Sequence, residues 1–256
     1  MNNLLSLEVT NRKNLVEYPF KSPLFQRGFR IDFAPVTILA GENGVGKSTL
    51  LESLAYHIGF PTYGGNANNN LFYNELNRVV KLNSYQNKGI NTLQEELIKR
   101  PDETVQIDDN VLSEYMKLSW RYRSQKGFFL RAETFAMMIN LPRYADSTNM
   151  SHGEGIVDVI SNIRDNGVYI LDEPEAGLST SKTIELMANI LNKASVFHSQ
   201  FILSTHSPIL MCLPEAKLLR MTEDSIEQTT PEETSHFQMT KYILNNKEKF
   251  FRSLRG

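Results

Sequence analysis

The run Gly41 to Thr49 combines the residue types that a phosphate chain needs: Gly41, Glu42, Asn43, Gly44, Val45, Gly46, Lys47, Ser48 and Thr49. It fits the pattern G-x-x-x-x-G-K-[ST], with Gly41, Gly46, Lys47 and Ser48 at the fixed positions. In such a run the backbone N–H groups turn inward and cradle anionic oxygens. Lys47 is placed to reach the β- and γ-phosphates of a nucleoside triphosphate, Ser48 to ligate Mg²⁺, and Thr49 to support a helix start. A second set follows the apolar segment Val168-Tyr169-Ile170-Leu171, which ends in Asp172-Glu173. Asp172 would hold Mg²⁺ directly or through water. Glu173, one residue on, points differently and would polarise an attacking water as general base. The third is His206, just past Gln200-Phe201-Ile202-Leu203-Ser204-Thr205, where an imidazole can sense or stabilise a transferring phosphoryl group.

These residues need a frame. Val36 to Ala40 is short, apolar and β-rich, and reads as a buried strand entering the loop; Leu50 to Tyr56 has helical spacing and leaves it. Val168 to Leu171 and Gln200 to Thr205 read as buried parallel strands, whose carboxyl ends form the edge where open α/β sheets bind ligands. Leu4 to Val9 is a first strand, and Phe29 to Phe33 alternates apolar and polar like a half-buried one. Among the aromatic residues ahead of the loop, Tyr18, Phe20 and Phe25 are candidates to hold an adenine ring, with core packing as the competing role.

Pro61 to Asn70 is a loop by composition. Leu93 to Lys99 and Val111 to Met116 look like short helices. Leu118 to Arg123 and Phe128 to Leu130 read as two strands around a turn at Ser124 to Gly127. Residues from about 60 to 127 are taken as an inserted mixed subdomain within a single domain over 1–256. Arg121, Arg123 and Lys126, interleaved with Trp120 and Tyr122, suit either a nucleic-acid edge or the solvated face of a hairpin. Ser235 to Phe251 reads as one or two closing helices docked on the sheet.

A chain of 256 residues is long enough for one large α/β domain. Hydrophobic content of 41% and charged content of 22% are those of a globular protein, and a formal charge of −2 supplies no global field for nucleic acid. The single cysteine, Cys212, excludes an intramolecular disulfide and suits a reducing cytoplasm. The first residues lack a signal-peptide pattern, and no apolar run is long enough to span a membrane.

The order of the motifs resembles the ABC-type ATPase family: phosphate loop, Ser151-His152-Gly153-Glu154-Gly155, Leu171-Asp172-Glu173-Pro174, then His206. Ser151 to Gly155 is similar to that family's signature Leu-Ser-Gly-Gly-Gln, with Met150 at the Leu, His152 at the first Gly and Glu154 at the Gln. Glu175 to Ser179 stands where the family's D-loop lies. The resemblance covers roughly residues 29–58 and 128–215. Phe-Leu-Arg-Ala-Glu, Asp-Glu-Pro-Glu-Ala and Thr-His-Ser-Pro-Ile-Leu narrow it to the branch related to SMC, RecF and overcoming-lysogenization-type ATPases, as a small stand-alone ATPase. The stretch between Lys47 and Ser151 lacks the sustained heptads of a long coiled coil.

The resemblance implies a P-loop fold of ABC type: a mainly parallel core sheet flanked by helices, with antiparallel strands near the N-terminus. It implies ATP and Mg²⁺ as ligands, and a homodimer that sandwiches two ATP molecules head to tail. Ser151, Gly153 and Glu154 of one copy would then contact the nucleotide held by Lys47 of the other. The family's Q-loop is placed at Glu133, after the strand Phe128 to Leu130, as a further metal ligand; Gln86 and Gln94 are the other candidates. The expected function is ATP hydrolysis driving a cytoplasmic motor or switch in DNA maintenance or antiviral defence, with a partner protein and without membrane insertion. The alternatives are the ATP-binding subunit of a transporter and a non-hydrolysing interaction module.

Overall fold

The computed structural model describes residues 3–60, 111–124, 126–131 and 152–254. In chain order the elements are β1 (Leu4–Val9), α1 (Pro23–Arg27), β2 (Phe29–Asp32), β3 (Val36–Ala40), α2 (Lys47–Ile58), α3 (Val111–Glu114), β4 (Met116–Trp120), β5 (Gly127–Arg131) and α4 (His152–Ser161). There follow β6 (Val168–Asp172), α5 (Thr180–Val196), β7 (Gln200–Thr205), α6 (Pro208–Met211), β8 (Lys217–Met221), β9 (Ile226–Gln228), α7 (Ser235–Asn245) and α8 (Lys247–Ser253). A 3-10 turn, Pro231–Glu233, precedes α7.

The described strands form two sheets. The larger has the order β5-β6-β7-β3-β8-β9, parallel except for its last strand. The smaller is antiparallel, β2-β1-β4. The central strands of the larger sheet are apolar without interruption because both faces are covered. Leu39, Ile170 and Ile202 point to the face shared with α2 and the small sheet. Their neighbours Ile38, Leu171 and Leu203 point to the opposite face, packed with residues of α4, α5 and α6. One residue of slip would exchange the two faces, so strand parity decides which side each functional group emerges on.

Gln200 ties the two sheets together. Its carboxamide oxygen accepts from Asn3 N at 3.1 Å and Leu4 N at 2.8 Å; its nitrogen donates to Leu4 O at 2.8 Å and Ala34 O at 3.2 Å. The side chain is buried with all these groups paired, and it fixes where β1 begins against β7.

The structure differs from the sequence expectations at β4–β5, at the end of α3 and in the tail. Leu118 to Leu130 is not a hairpin. β4 pairs with β1, Leu118 facing Leu7, whereas β5 joins the parallel sheet, Gly127 facing Val168. Gly127, at φ +124°, makes the switch possible: a Cβ there would lie 1.7 Å from Val168 O. Helix α3 also ends earlier than expected, and Met116 already belongs to β4. The tail also differs. α7 and α8 form, but none of their residues is buried, and Met239, Tyr242, Leu244 and Phe251 are exposed. The aromatic rings pair among themselves, Tyr242 with Phe250 and Phe250 with Phe251, instead of docking on the sheet. The expected helix Leu93 to Lys99, Gln86, Gln94 and most of the expected insertion lie outside the described residues.

Candidate functional site

The site lies at the carboxyl edge of the parallel sheet. Register places the ends of four strands side by side: Ala40 beside Thr205, Asp172 beside Ser204, Arg131 beside Asp172. β3 opens into the phosphate loop, and α2 begins at Lys47 behind Gly46 at φ +98°. A Cβ on Gly46 would meet the Phe25 ring at 2.7 Å, so loop conformation and packing both require glycine. Lys47 is buried, and its Nζ donates to Gly41 O at 2.8 Å and Glu42 O at 2.9 Å. Burial pushes its proton affinity down, while Glu173 and Asp172 oppose that shift.

Asp172 shares the parity of Val168 and Ile170, the face that carries α2. Its carboxylate accordingly meets the start of that helix. Ser48 Oγ donates to Asp172 Oδ1 at 3.2 Å, and Ser204 Oγ donates to the same oxygen at 2.5 Å. A hydroxyl beside a buried carboxylate is a hard oxygen pair of the kind that suits Mg²⁺, which keeps waters and phosphate oxygens as its other ligands. Among the described residues no group of three or more His, Cys, Asp or Glu could hold a metal ion. The Ser48–Asp172 pair fits a metal whose other ligands are waters and a bound phosphate chain. Arg131, at the end of β5, has its Nε 3.9 Å from Asp172 Oδ2 and donates from Nη1 to Glu52 of α2.

Glu173 takes the left-handed conformation, φ +50°, which turns the chain sharply after β6. Its N–H donates to Ser204 Oγ at 3.1 Å, and its carboxylate Oε1 lies 3.3 Å from His206 Nε2. That approach is close but not aligned as a hydrogen bond, because His206 Nε2 is buried without an aligned partner. Burial, then the Lys47 charge, pushes the His206 ring toward its neutral form, with Glu173 opposing. Glu175 holds the turn that carries this ring. Its Oε1 accepts from Thr205 Oγ1 at 2.5 Å, His206 N at 3.0 Å and Ser207 N at 3.1 Å. Burial raises the Glu175 proton affinity against those donors.

The start of α7 reaches the same edge. Ser235 Oγ donates to Glu42 Oε1 at 2.5 Å, and that bond holds the Glu42 carboxyl below its ordinary range. His236 Nε2 lies 3.2 Å from His206 Nδ1.

The structure thus brings Lys47, Ser48, Asp172, Glu173 and His206 together. Gly153 and Glu154 fall in the first turn of α4; Ser151 and Glu133 lie outside the described residues. Of the aromatic candidates, Phe20 and Phe25 are core residues, whereas Tyr18 is exposed and its hydroxyl hydrogen-bonds Thr49 Oγ1. Ser204, Arg131 and His236 were not anticipated. Strand parity would have found Ser204, on the same face as Ile202 and in register with Asp172. No local signal in the sequence marks His236.

A family model described as an AAA domain matches residues 19–254. The xylose import ATP-binding protein XylG of Thermoanaerobacter pseudethanolicus is 27% identical over 180 residues, which are 68% of this chain but 34% of that protein. The chain thus spans about a third of that relative's length. Among solved structures, the SMC head domain from Thermotoga maritima is similar at 13% identity and TM-score 0.44, covering 90% of this chain and 99% of that one. An inward-facing putative metal-chelate type ABC transporter is similar at 17% identity and TM-score 0.43, covering 93% and 88%. With the phosphate loop, the Asp172-Glu173 strand end and His206 in this order along one sheet edge, the chain belongs to the AAA domain family.

Proposed function

We propose that this protein binds ATP with Mg²⁺ and hydrolyses it to ADP and phosphate within a head-to-tail homodimer. The observation that carries this reading is the convergence of Lys47, Ser48, Asp172, Glu173 and His206 at one sheet edge. Lys47 and the loop N–H groups bind the β- and γ-phosphates. Ser48 and Asp172 hold Mg²⁺, which when bound neutralises phosphate charge. Glu173 takes the proton from the attacking water, and His206 sits beside it to stabilise the phosphoryl group as it transfers. Exposed Tyr18 is the residue to stack on adenine. Ser151, Gly153 and Glu154 complete the site of the second copy, and Glu133 adds to the metal shell.

The cycle of dimer formation and release acts as a cytoplasmic motor or switch in DNA maintenance or antiviral defence, with a partner protein. Its support is the SMC/RecF-like motif set together with the exposed Arg121, Tyr122, Arg123 and Lys126, a basic and aromatic edge on the β4–β5 connection. Among the described residues no helix is long and apolar enough to cross a membrane. The match to a xylose import ATP-binding protein favours a second reading, the ATP-binding subunit of a transporter.

Steady-state hydrolysis with and without single- and double-stranded DNA, against a Lys47→Ala blank, tests the proposal. DNA stimulation supports the DNA role. A DNA-independent rate that Lys47→Ala removes keeps the ATPase reading and moves the regulator to a protein partner. No Lys47-dependent rate overturns hydrolysis in favour of an ATP-binding interaction module. Co-purification with membrane-spanning chains would select the transporter reading.

A further inference from the structure

His206 has a polar neighbour beside each ring nitrogen, and the two sides have different chemistry. Nε2 lies 3.3 Å from Glu173 Oε1, an oxygen that only accepts while the carboxylate is ionised. Nδ1 lies 3.2 Å from His236 Nε2, which either donates or accepts according to its tautomer. A neutral imidazole carries one proton. With that proton on Nδ1, the Nε2 lone pair would face a carboxylate lone pair 3.3 Å away. With it on Nε2, the ring presents N–H to Glu173, and Nδ1 needs a donor. For a neutral His206 beside a carboxylate, the arrangement that leaves neither contact repulsive has His236 Nε2–H donating to His206 Nδ1.

We infer that His236 is a positioning residue that locks His206 in its Nε2–H tautomer, so that the switch histidine presents a donor beside Glu173. The start of α7 is built to hold His236 there. Thr234 is buried, caps α7 by accepting from Phe237 N at 3.4 Å, and donates to Pro231 O at 2.7 Å. Ser235, the residue just before His236, donates its hydroxyl to Glu42 of the phosphate loop. The two imidazole rings lie 5.0 Å apart, inclined at 57°. The tail helices are thus tied to the site by their first residues while the rest of their surface stays unburied.

The catalytic consequence rests on the hydrolysis proposed above, but the tautomer does not. Long-range ¹H–¹⁵N spectra of the nucleotide-free full chain, labelled at its 5 histidines, report the protonated nitrogen of each ring. His206→Gln assigns the signal. The wild type should show His206 protonated at Nε2, His236→Gln should retain that pattern because its amide still donates, and His236→Ala should lose it. In hydrolysis, His236→Ala should lower kcat about 10- to 100-fold, the scale for removing a group that orients an imidazole, with KM for ATP nearly unchanged. His236→Gln should restore most of it. A wild-type signal protonated at Nδ1, or a His206 pattern unchanged in His236→Ala, overturns the inference. A wild type without Lys47-dependent hydrolysis would overturn the ATPase reading alone, because the spectra still decide the tautomer.

Discussion

At the scale of the residue, the site depends on small donors as much as on the charged groups. Ser204 Oγ donates to Asp172 Oδ1 and accepts from Glu173 N, so one hydroxyl positions both carboxylate-bearing residues. Ser204→Ala leaves a buried carboxylate oxygen short of a donor and should cost about 1–3 kcal/mol of stability, read as a lower urea midpoint. It should also slow hydrolysis more than it weakens ATP binding. Glu173→Gln keeps size and removes the proton acceptor. Turnover should fall at least about 100-fold while a fluorescent ATP analogue still binds. An undiminished rate would remove Glu173 from the role of base. Tyr18→Ala should raise KM for ATP several-fold, the worth of an aromatic stack of about 0.5–1.5 kcal/mol, with kcat nearly unchanged.

At the scale of the element, what matters is how strand ends are held against each other. β7 carries Gln200 at its entrance and Ser204 near its exit, so the same strand anchors the small sheet and supports the site. Gln200→Leu would strand the N–H groups of Asn3 and Leu4 without an acceptor. The expected cost is about 2–3 kcal/mol, measured by urea unfolding, with the ATP affinity of the folded fraction little changed because the lesion sits at the far end of β7. A larger effect on ATP affinity than on stability would mean that the small sheet positions the phosphate loop. Glu175 plays the matching part at the other end, tying the turn after β6 to the backbone of His206 and Ser207.

At the scale of the whole molecule, the proposed cycle is one of association. Glu173→Gln with ATP and Mg²⁺ should double the mass seen by light scattering, and chelation with EDTA should return it to the monomer value. A mass that stays constant through ATP addition would remove the nucleotide-sandwich dimer, even if each chain hydrolysed ATP alone. His206 and His236 lie at the edge where the second copy is proposed to dock. The tail that carries His236 is thus placed to feel dimer formation directly.

The sequence by itself determined the strands β3, β6 and β7 and which candidate site residues stand at their ends. The glycine loop, the Asp-Glu strand end and the buried runs of β3, β6 and β7 are local patterns, set by backbone freedom at glycine and by uniform burial of parallel strands. It did not determine which sheet β4 and β5 join. Both segments are short, and their partners β1 and β6 are distant in the chain, so pairing energy rather than propensity decides. Nor did it reveal the tail's role. Apolar residues at helical spacing suggested docking on the sheet, yet that face was already filled by α5 and α6, and the tail attached instead through Ser235 and His236. Contacts between side chains far apart in sequence, such as His206 with His236, leave no periodic trace, and only tertiary packing brings them within hydrogen-bonding distance.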